Sequence, residues 1–184
     1  MKRGWCVWVT GLPGSGKSVV SEALVRRLNE KGVHAQLLSS DVLRKILTPK
    51  PSYSLEERDV FYSTLVYFAR LLAENGVNVV IDATGNLRRY REAAREQIAY
   101  FFEVYLECPL DVCMRREAER SKTRGAPRQI YVKAKEGKTN TVPGVGQPYE
   151  PPLEPEVRVD AERSTPAGAA EKILQKLLGK SALR

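Results

Sequence analysis

The stretch GLPGSGKS, residues 11–18, decides the fold of this chain. It matches the pattern G-x-x-x-x-G-K-[S/T], and it lies between an apolar run, WCVWV (5–9), and a helical pattern that begins at Ser18. Glycine tolerates the tight turns that point successive backbone N–H groups at a phosphate, and the following helix adds the positive end of its dipole. The stretch therefore predicts a P-loop, with a plain glycine-rich turn between strand and helix as the simpler alternative.

Two side chains of this loop are expected to act on the nucleotide directly. Lys17 would reach the β- and γ-phosphates of ATP as a catalytic group, and the Ser18 hydroxyl would bind Mg²⁺. The predicted ATP-binding residues of the loop are Gly11, Leu12, Pro13, Gly14, Ser15, Gly16, Lys17 and Ser18.

Apolar runs alternate with helical patterns along the rest of the chain. Strands are predicted at 5–9, 35–38, 78–82, 101–107 and 157–159, and helices at 18–31, 55–74, 88–99, 110–119 and 166–178. Such alternation favours a parallel sheet covered by helices on both faces. We therefore expect the α/β class: a three-layer α/β/α P-loop fold with a mostly parallel sheet of about five strands.

One interval, residues 120–155, breaks this alternation. It is rich in Lys, Arg, Gly, Pro and Thr and has little apolar periodicity. Long loops in compact domains are usually functional or disordered, so this interval is predicted to be a mobile lid. The 184 residues and 42% hydrophobic composition suit a single domain, and we expect one kinase domain over 1–184.

Charge and cysteine content narrow the partners. Thirty basic against 22 acidic side chains give a formal net charge of +8, which favours phosphorylated small molecules or nucleic acid, or is simply a basic surface. Three cysteines and one histidine form neither a disulfide framework nor a zinc-binding spacing. The N-terminal apolar run is too short for a signal peptide or a membrane span, so a cytoplasmic protein without a membrane partner is expected.

Asp41 is the candidate for chemistry at the acceptor. It follows the predicted strand 35–38, and the carboxyl end of a parallel strand faces the nucleotide crevice. A carboxylate there can accept or orient the proton of an attacking hydroxyl, and Arg44, on the same helical face, can hold an anionic group of the acceptor. A helix N-cap is the alternative role for Asp41.

Other charged residues have open roles. Asp82 ends NVVID (78–82) in the manner of a Walker-B aspartate that reaches toward Mg²⁺, or it is an N-cap or turn residue. Tyr53 and Arg58 flank the start of the long helix and can bind a base and a phosphate, or serve core and surface packing. The basic run at 88–95 is typical of a solvated face, although three of its arginines share one helix side.

Beyond the P-loop, the chain resembles the adenylylsulfate kinases, which phosphorylate the 3′-hydroxyl of adenosine 5′-phosphosulfate with ATP. QIYVKAKEGKTNTVPGVGQPYEPP (129–152) is similar to that family's Leu-Tyr, basic stretch, Gly-Ile and Pro-Tyr-Glu-x-Pro order. Further similarities are LLSSDVLR (37–44) to an Asp-Gly-Asp-x-x-Arg box, SLEERD (54–59) to Ser-x-Glu-Asp-Arg, RRYREAAR (88–95) to Tyr-Arg-x-x-Arg, and FEVYLECPLDVCMRRE (102–117) to Glu-Val-Tyr-Val and Cys-x-x-Arg-Asp.

The resemblance implies roles for the matched residues. It makes Asp41 the base or orienter at the 3′-hydroxyl, and it gives the remaining site residues as the phosphosulfate ligands Arg44 and Arg58, the substrate-adenine partner Tyr53, the ATP-adenine partner Arg115 and the lid residue Lys133.

The chain also departs from the family's pattern. Ser39 and Ser40 replace the first acid and the glycine of the Asp-Gly-Asp box, while Asp82 is an acid where the family usually has none. Metal ligation by Ser18 and Asp82 is therefore expected.

Further departures lie around the substrate. Phe61 stands where the family has Asn, Ser63 replaces an arginine, and 142–146 replaces the Phe-Thr-Gly-Ile-Asp run with Val-Pro-Gly-Val-Gly. The segment 121–129 is longer than usual.

The sequence thus indicates a kinase that transfers the γ-phosphoryl group of MgATP to adenosine 5′-phosphosulfate. Two alternatives stay open: a P-loop kinase of another hydroxyl, such as a nucleic-acid end, an aminoacylated tRNA or a small metabolite, and a nucleotide-gated binding protein. A homodimer is one of the open oligomeric states.

Overall fold

The computed structural model of the protein describes residues 2–123 and 125–179. Its strands are β1 (Cys6–Thr10), β2 (Ala35–Ser39), β3 (Asn78–Asp82), β4 (Phe101–Glu107), β5 (Val142–Pro143), β6 (Gly146–Gln147) and β7 (Val157–Asp160). Its helices are α1 (Lys17–Glu30), α2 (Ser40–Leu47), α3 (Leu55–Glu74), α4 (Arg88–Gln97), α5 (Leu110–Glu119), α6 (Ile130–Lys135) and α7 (Pro166–Gly179). The ten elements predicted from sequence all form, with ends that agree to within about two residues.

Five parallel strands form the central sheet, in the order β2-β3-β1-β4-β7. Strand β1 lies in the middle and is buried on both faces, which is why its sequence is a continuous apolar run. Val7 and Val9 pack in the core beneath α1 and α7, whereas Cys6 and Trp8 pack in the core beneath α3 and α4. The predicted three-layer α/β/α arrangement is thereby confirmed.

The order of the strands decides which segments meet at the carboxyl edge of the sheet, called here its functional edge. In β1 and β3, Val9 lies in register with Asp82, and in β2 and β3, Ser39 lies in register with Asp82. The P-loop, Asp82 and the start of α2 therefore leave the sheet at neighbouring positions of its carboxyl edge, where ligands bind in folds of this kind.

Local capping fixes where the long helix α3 begins and ends. The Ser54 hydroxyl accepts a hydrogen bond of 3.2 Å from the Glu57 backbone N–H, which caps the first turn. The helix ends at Glu74 with Asn75 as its C-cap, and Gly76 follows with a φ of 83° that a side chain would disfavour. These caps hold Arg58 in the first turns of the helix, at the functional edge of the sheet.

The interval 120–155 has more regular structure than the sequence indicates. It contains the short helix α6 and the two-residue strands β5 and β6, and the Tyr131 hydroxyl donates a 2.8 Å hydrogen bond to the Pro13 carbonyl oxygen. The apolar periodicity of α6 is lost because a helix of six residues spans fewer than two turns. Its mobility as a lid stays a prediction, as does the single domain over 1–184, of which Met1, Arg124 and 180–184 lie outside the described residues.

Candidate active site

One cavity of about 630 Å³ opens at the carboxyl edge of the sheet. The residues predicted from sequence that line it are Pro13, Gly14, Gly16, Lys17, Ser18, Asp41, Arg44, Tyr53, Arg58, Asp82 and Lys133. The structure thus brings the P-loop, Asp41 and the two arginines expected to bind the phosphosulfate to the same space. The volume is within the range of small-molecule sites.

The P-loop backbone has the close contacts that require glycine. A side chain on Gly14 would place its Cβ 2.3 Å from the Cys113 carbonyl oxygen, and Gly14 and Gly16 have φ values of 85° and 98°. Lys17 Nζ donates hydrogen bonds of 3.1 Å to the carbonyl oxygens of Gly11 and Leu12. The loop therefore curls tightly around its own lysine, with the helix α1 starting immediately behind it.

Lys17 faces two carboxylates. Burial lowers the pKa of its ammonium group, and the negative charges of Asp82 and Asp41 act in the opposite direction. One cation between two acids at the mouth of a P-loop is an arrangement suited to binding a phosphate together with a divalent cation.

Asp82 ends β3 and is only 4% exposed. Burial raises the pKa of its carboxyl group, while Lys17 and a hydrogen bond from the Ser18 hydroxyl oppose that rise. Helix α4 begins after Leu87, so Asp82 is not an N-cap. Two hard oxygen ligands, one carboxylate and one hydroxyl, fit Mg²⁺, which completes its shell with water and phosphate oxygens.

Asp41 lies in the first turn of α2, directly after β2. The N-cap of α2 is Ser39, so the alternative N-cap role for Asp41 is wrong. Burial raises the pKa of its carboxyl group, and the cations Lys17, Arg120 and Arg44 oppose that rise. A partly buried carboxylate with a raised pKa beside the lysine of the P-loop has the electrostatics of a general base.

Arg44 is held between aromatic rings. Its guanidinium carbon lies 3.9 Å from the ring centroid of Phe61 and 5.0 Å from that of Tyr53, and its Nη1 donates a 3.1 Å hydrogen bond to Glu57 Oε1. Glu57 also accepts from the backbone N–H and hydroxyl of Ser52. Phe61, a departure from the family's pattern, therefore supports an arginine that faces the cavity.

Arg58 links three parts of the site. Its Nε donates to the Tyr53 carbonyl oxygen at 3.1 Å, Nη1 to Asn86 Oδ1 at 3.3 Å, and Nη2 to the Thr141 carbonyl oxygen at 2.6 Å. Asn86 is 1% exposed and has no signal in the local sequence pattern that reveals this role. Arg58 thus lines the cavity and connects Thr141, in the interval 120–155, to the start of α3.

The arginine expected at the ATP adenine is displaced by one residue. Arg115 is exposed on α5, whereas Arg116 lines the cavity and donates a 2.8 Å hydrogen bond to the Ala161 carbonyl oxygen. Arg116 also stands at the arginine position of the Cys-x-x-Arg spacing that begins at Cys113. The structure therefore places Arg116, and not Arg115, at the cavity, because the helix turns these neighbours to different sides.

The basic run on α4 is not simply a solvated face. Arg91 is 1% exposed, and its guanidinium donates to Glu103 Oε1 at 2.5 Å and to the Glu150 carbonyl oxygen at 2.6 Å. Arg95 donates to Glu156 at 2.6 Å. Arg91 therefore connects Glu150 of the PYEP segment (148–151) to Glu103 of β4, whereas Arg89 remains at the surface with Asp59.

Comparison with known proteins decides the family. The family model described as adenylylsulphate kinase matches residues 3–160. The chain belongs to the adenylylsulphate kinase family. A probable adenylyl-sulfate kinase of Pyrococcus abyssi is 35% identical over 174 residues, which cover 95% of each chain. An adenylyl-sulfate kinase of Rippkaea orientalis is also 35% identical, over 96% of this chain and 92% of its own.

Solved structures agree with this assignment. The Mycobacterium tuberculosis APS kinase in complex with AMPPNP and APS superposes with a TM-score of 0.86 and 34% identity, over 97% of this chain and 100% of its own. A sugar kinase from Janibacter, 20% identical with a TM-score of 0.70, shares the fold alone. This adenylylsulphate kinase family member is therefore an ATP-dependent kinase that uses Mg²⁺, as its sequence predicts.

The helices were compared with what a membrane span requires. In residues 2–123 and 125–179, no helix is both long enough and apolar enough to span a bilayer.

Proposed function

We propose that this kinase transfers the γ-phosphoryl group of MgATP to the 3′-hydroxyl of adenosine 5′-phosphosulfate through the residues of the 630 Å³ cavity. The observation that carries the proposal is the joint lining of that cavity by Lys17, Asp41, Arg44 and Arg58. The P-loop lysine and the partly buried carboxylate of Asp41 supply the transfer chemistry, and the two arginines supply a second anion site for the phosphosulfate.

In this proposal each residue has a separate task. Asp41 accepts or orients the proton of the 3′-hydroxyl, which attacks the γ-phosphorus, while Lys17 neutralises charge on the phosphates. Most of the rate enhancement comes from positioning and charge neutralisation, as phosphoryl transfer requires. Arg116, and not Arg115, lies on the ATP side, and Lys133 of α6 contributes a cation from the lid segment.

The substrate's nonreacting groups bind at Arg44, Arg58 and Tyr53. Arg44 is only 8% exposed and is already oriented by Phe61 and Glu57, so little side-chain entropy is lost when it binds an anion. Tyr53, held at a φ of 55°, presents its ring to the same cavity and stacks on the substrate adenine. Phe61, which stands where the family has Asn, therefore still supports Arg44 as a ligand of the phosphosulfate.

Ser18 and Asp82 would hold Mg²⁺, which supplies charge neutralisation at the phosphates when bound. Asp82 compensates for Ser39 and Ser40, which carry no carboxylate where the family's box has one. The hydrogen bond between Ser18 and Asp82 already holds the two oxygens together.

Replacing Asp82 by Asn is expected to raise the Mg²⁺ concentration needed for half-maximal turnover by about tenfold or more, because a neutral amide oxygen is a weaker ligand than a carboxylate. Turnover as a function of Mg²⁺ measures this. Asp160→Asn is the matched control, since Asp160 also ends a parallel strand but caps an exposed turn. An unchanged Mg²⁺ profile in Asp82→Asn would make Asp82 a structural residue.

Arg58→Ala is expected to raise the KM for adenosine 5′-phosphosulfate about ten- to a hundred-fold, since charge-assisted hydrogen bonds contribute about 1.5–3 kcal/mol. The KM for ATP should scarcely move. Arg89→Ala removes an exposed arginine outside the cavity and serves as the control. A parent-like KM for adenosine 5′-phosphosulfate in Arg58→Ala would show that Arg58 does not bind the phosphosulfate.

The proposal as a whole is tested by product formation. The purified protein is incubated with MgATP alone, with adenosine 5′-phosphosulfate and with RNA, and ADP and the phosphorylated acceptor are quantified. Acceptor-dependent ADP release with adenosine 5′-phosphosulfate supports the proposal. Turnover with RNA only would identify a kinase of another hydroxyl. The absence of acceptor-dependent turnover would instead support the alternative of a nucleotide-gated binding protein.

We also infer self-association as a homodimer and a cytoplasmic site of action. Val60, Tyr67 and Leu71 are 69%, 49% and 44% exposed on one side of α3, an apolar surface suited to a second copy. Light scattering measures the mass of the particle in solution and so tests the dimer.

The cysteines support the cytoplasmic site of action. The free thiols of Cys6, Cys108 and Cys113 suit a reducing compartment in which ATP is present.

A further inference from the structure

The described residues of the segment that follows α5, 121–123 and 125–129, approach Asp41, the proposed base. A Cβ on Gly125 would stand 3.6 Å from Asp41 Cβ and 3.4 Å from Lys45 Nζ. Lys122, Thr123, Ala126 and Pro127 line the cavity. This part of the chain therefore covers the acceptor end of the site, beside the group that would activate the hydroxyl.

Arg120 stands at the base of this segment, where α5 ends, and its side chain is pinned. Its Nη2 donates a 3.1 Å hydrogen bond to Glu117 Oε1 and another to the Pro127 carbonyl oxygen. The Glu117 side chain is 0% exposed and that of Arg120 is 22% exposed. Within the described residues, Arg120 Nε is buried without a hydrogen-bond partner. A cation is thus held rigidly at the cavity wall by a buried acid.

Arg120 lines the same cavity as Asp41 and Lys17. Its charge also opposes the burial-driven rise in the pKa of Asp41. In the proposed function Asp41 faces the acceptor hydroxyl and Lys17 faces the ATP phosphates. A cation on the wall that these two residues share lies near the place where the phosphoryl group passes from ATP to the acceptor.

We propose that Arg120 is a further catalytic residue, which contacts the γ-phosphoryl group during its transfer and neutralises the charge that spreads over its oxygens. The proposal rests on the proposed function, because it takes Asp41 and Lys17 as the two ends of the reaction. The Glu117 contact and the Pro127 contact hold the guanidinium in place.

The chemistry of the step is balanced without another reactant. The bond between the γ-phosphorus and the oxygen that bridges to the β-phosphate breaks, and a bond from the γ-phosphorus to the 3′-oxygen forms. The bridging electrons leave with ADP, and the hydroxyl proton passes to Asp41. Arg120 keeps its proton throughout, since guanidinium groups stay charged in proteins, and contributes only electrostatic stabilisation.

Steady-state kinetics test this assignment. Arg120→Ala is expected to lower kcat about 10²–10³-fold, with each KM within about threefold of the parent, because the contact exists only in transfer. Arg128→Ala is the matched control: Arg128 is exposed in the same segment and donates to the Ser121 carbonyl oxygen at 3.1 Å. Its kcat should stay within about twofold of the parent.

A second variant and a second measurement separate catalysis from folding. Arg120→Lys keeps a cation for the buried Glu117 and should melt close to the parent temperature, yet lose about tenfold in kcat because ammonium lacks the planar fork. Binding of ADP to Arg120→Ala should be unchanged. Binding of ADP with aluminium fluoride, which mimics the phosphoryl group in flight, should weaken about tenfold or more.

Two results would overturn the assignment. One is a parent-like kcat in Arg120→Ala, and the other is equal weakening of ADP with and without aluminium fluoride, which would indicate a structural residue only. Failure of the proposed function looks different, since then the parent itself forms no product with adenosine 5′-phosphosulfate.

Discussion

Lys17→Ala is expected to reduce the turnover of phosphoryl transfer by about a thousand-fold or more. Lys17 is the lysine of the P-loop, and its Nζ lies over the loop, 3.1 Å from the carbonyl oxygens of Gly11 and Leu12. A preorganised cation at a developing negative charge is among the largest contributions to catalysis in a water-excluded site. The loss should appear in kcat and in the affinity for ATP, because Lys17 contacts phosphates before and during transfer.

The measurement is product formation at saturating MgATP and acceptor. Lys31→Ala is the control, since Lys31 is exposed at the far end of the same helix. The variant should fold, because Lys17 is partly buried, burial lowers the pKa of its ammonium group, and alanine removes that desolvation cost. Near-normal turnover in Lys17→Ala would remove the P-loop as the basis of catalysis.

Asp41→Asn is expected to lower kcat about 10²–10⁴-fold with little change in either KM, which is the effect of removing a group that acts at the hydroxyl during transfer. Asp111→Asn is the control, because Asp111 occupies the first turn of α5 as Asp41 occupies the first turn of α2, but is exposed. An equal loss in kcat and rise in KM for adenosine 5′-phosphosulfate would make Asp41 a binding residue instead.

The pH profile gives an independent check on Asp41. A base works in its ionised form, which exists above its pKa, so kcat falls as the pH drops through the pKa of Asp41. Burial raises that pKa, and the acid limb should therefore lie at a higher pH than an ordinary aspartate, near 4, would give. The residual activity of Asp41→Asn should lack this limb, whereas Asp111→Asn should retain it.

Much of the fold could be predicted because local patterns are consistent with it. The buried strand β1 is a continuous apolar run, and α3 begins at a Ser-x-x-Glu cap and ends at Asn-Gly. Helices α2 and α6 had weaker signals, since α2 starts without a loop after β2 and α6 has only six residues. Short elements of this kind are stabilised by tertiary packing, as the buried Tyr131 against the P-loop illustrates.

The sequence by itself determined the P-loop and the parallel α/β fold, and it marked Asp41 and Asp82 at the ends of strands. These features depend on short-range spacing, which is encoded within a few residues. The family and the expected role of Arg58 came from the resemblance of longer segments to a known family. The sequence alone did not separate Arg115 from Arg116, which differ only in the side of the helix that they occupy.

The tertiary structure alone decided which distant groups meet. Arg58 reaches Asn86 and the Thr141 carbonyl oxygen, and Arg91 is buried against Glu103 and the Glu150 carbonyl oxygen. Arg120 reaches the cavity of Asp41 and Lys17 only because the segment after it folds back across α2. Charged residues that are dozens of positions apart in the sequence share a site because the order of the strands and the course of the connecting segments bring them together. A local sequence pattern carries no information about such long-range contacts.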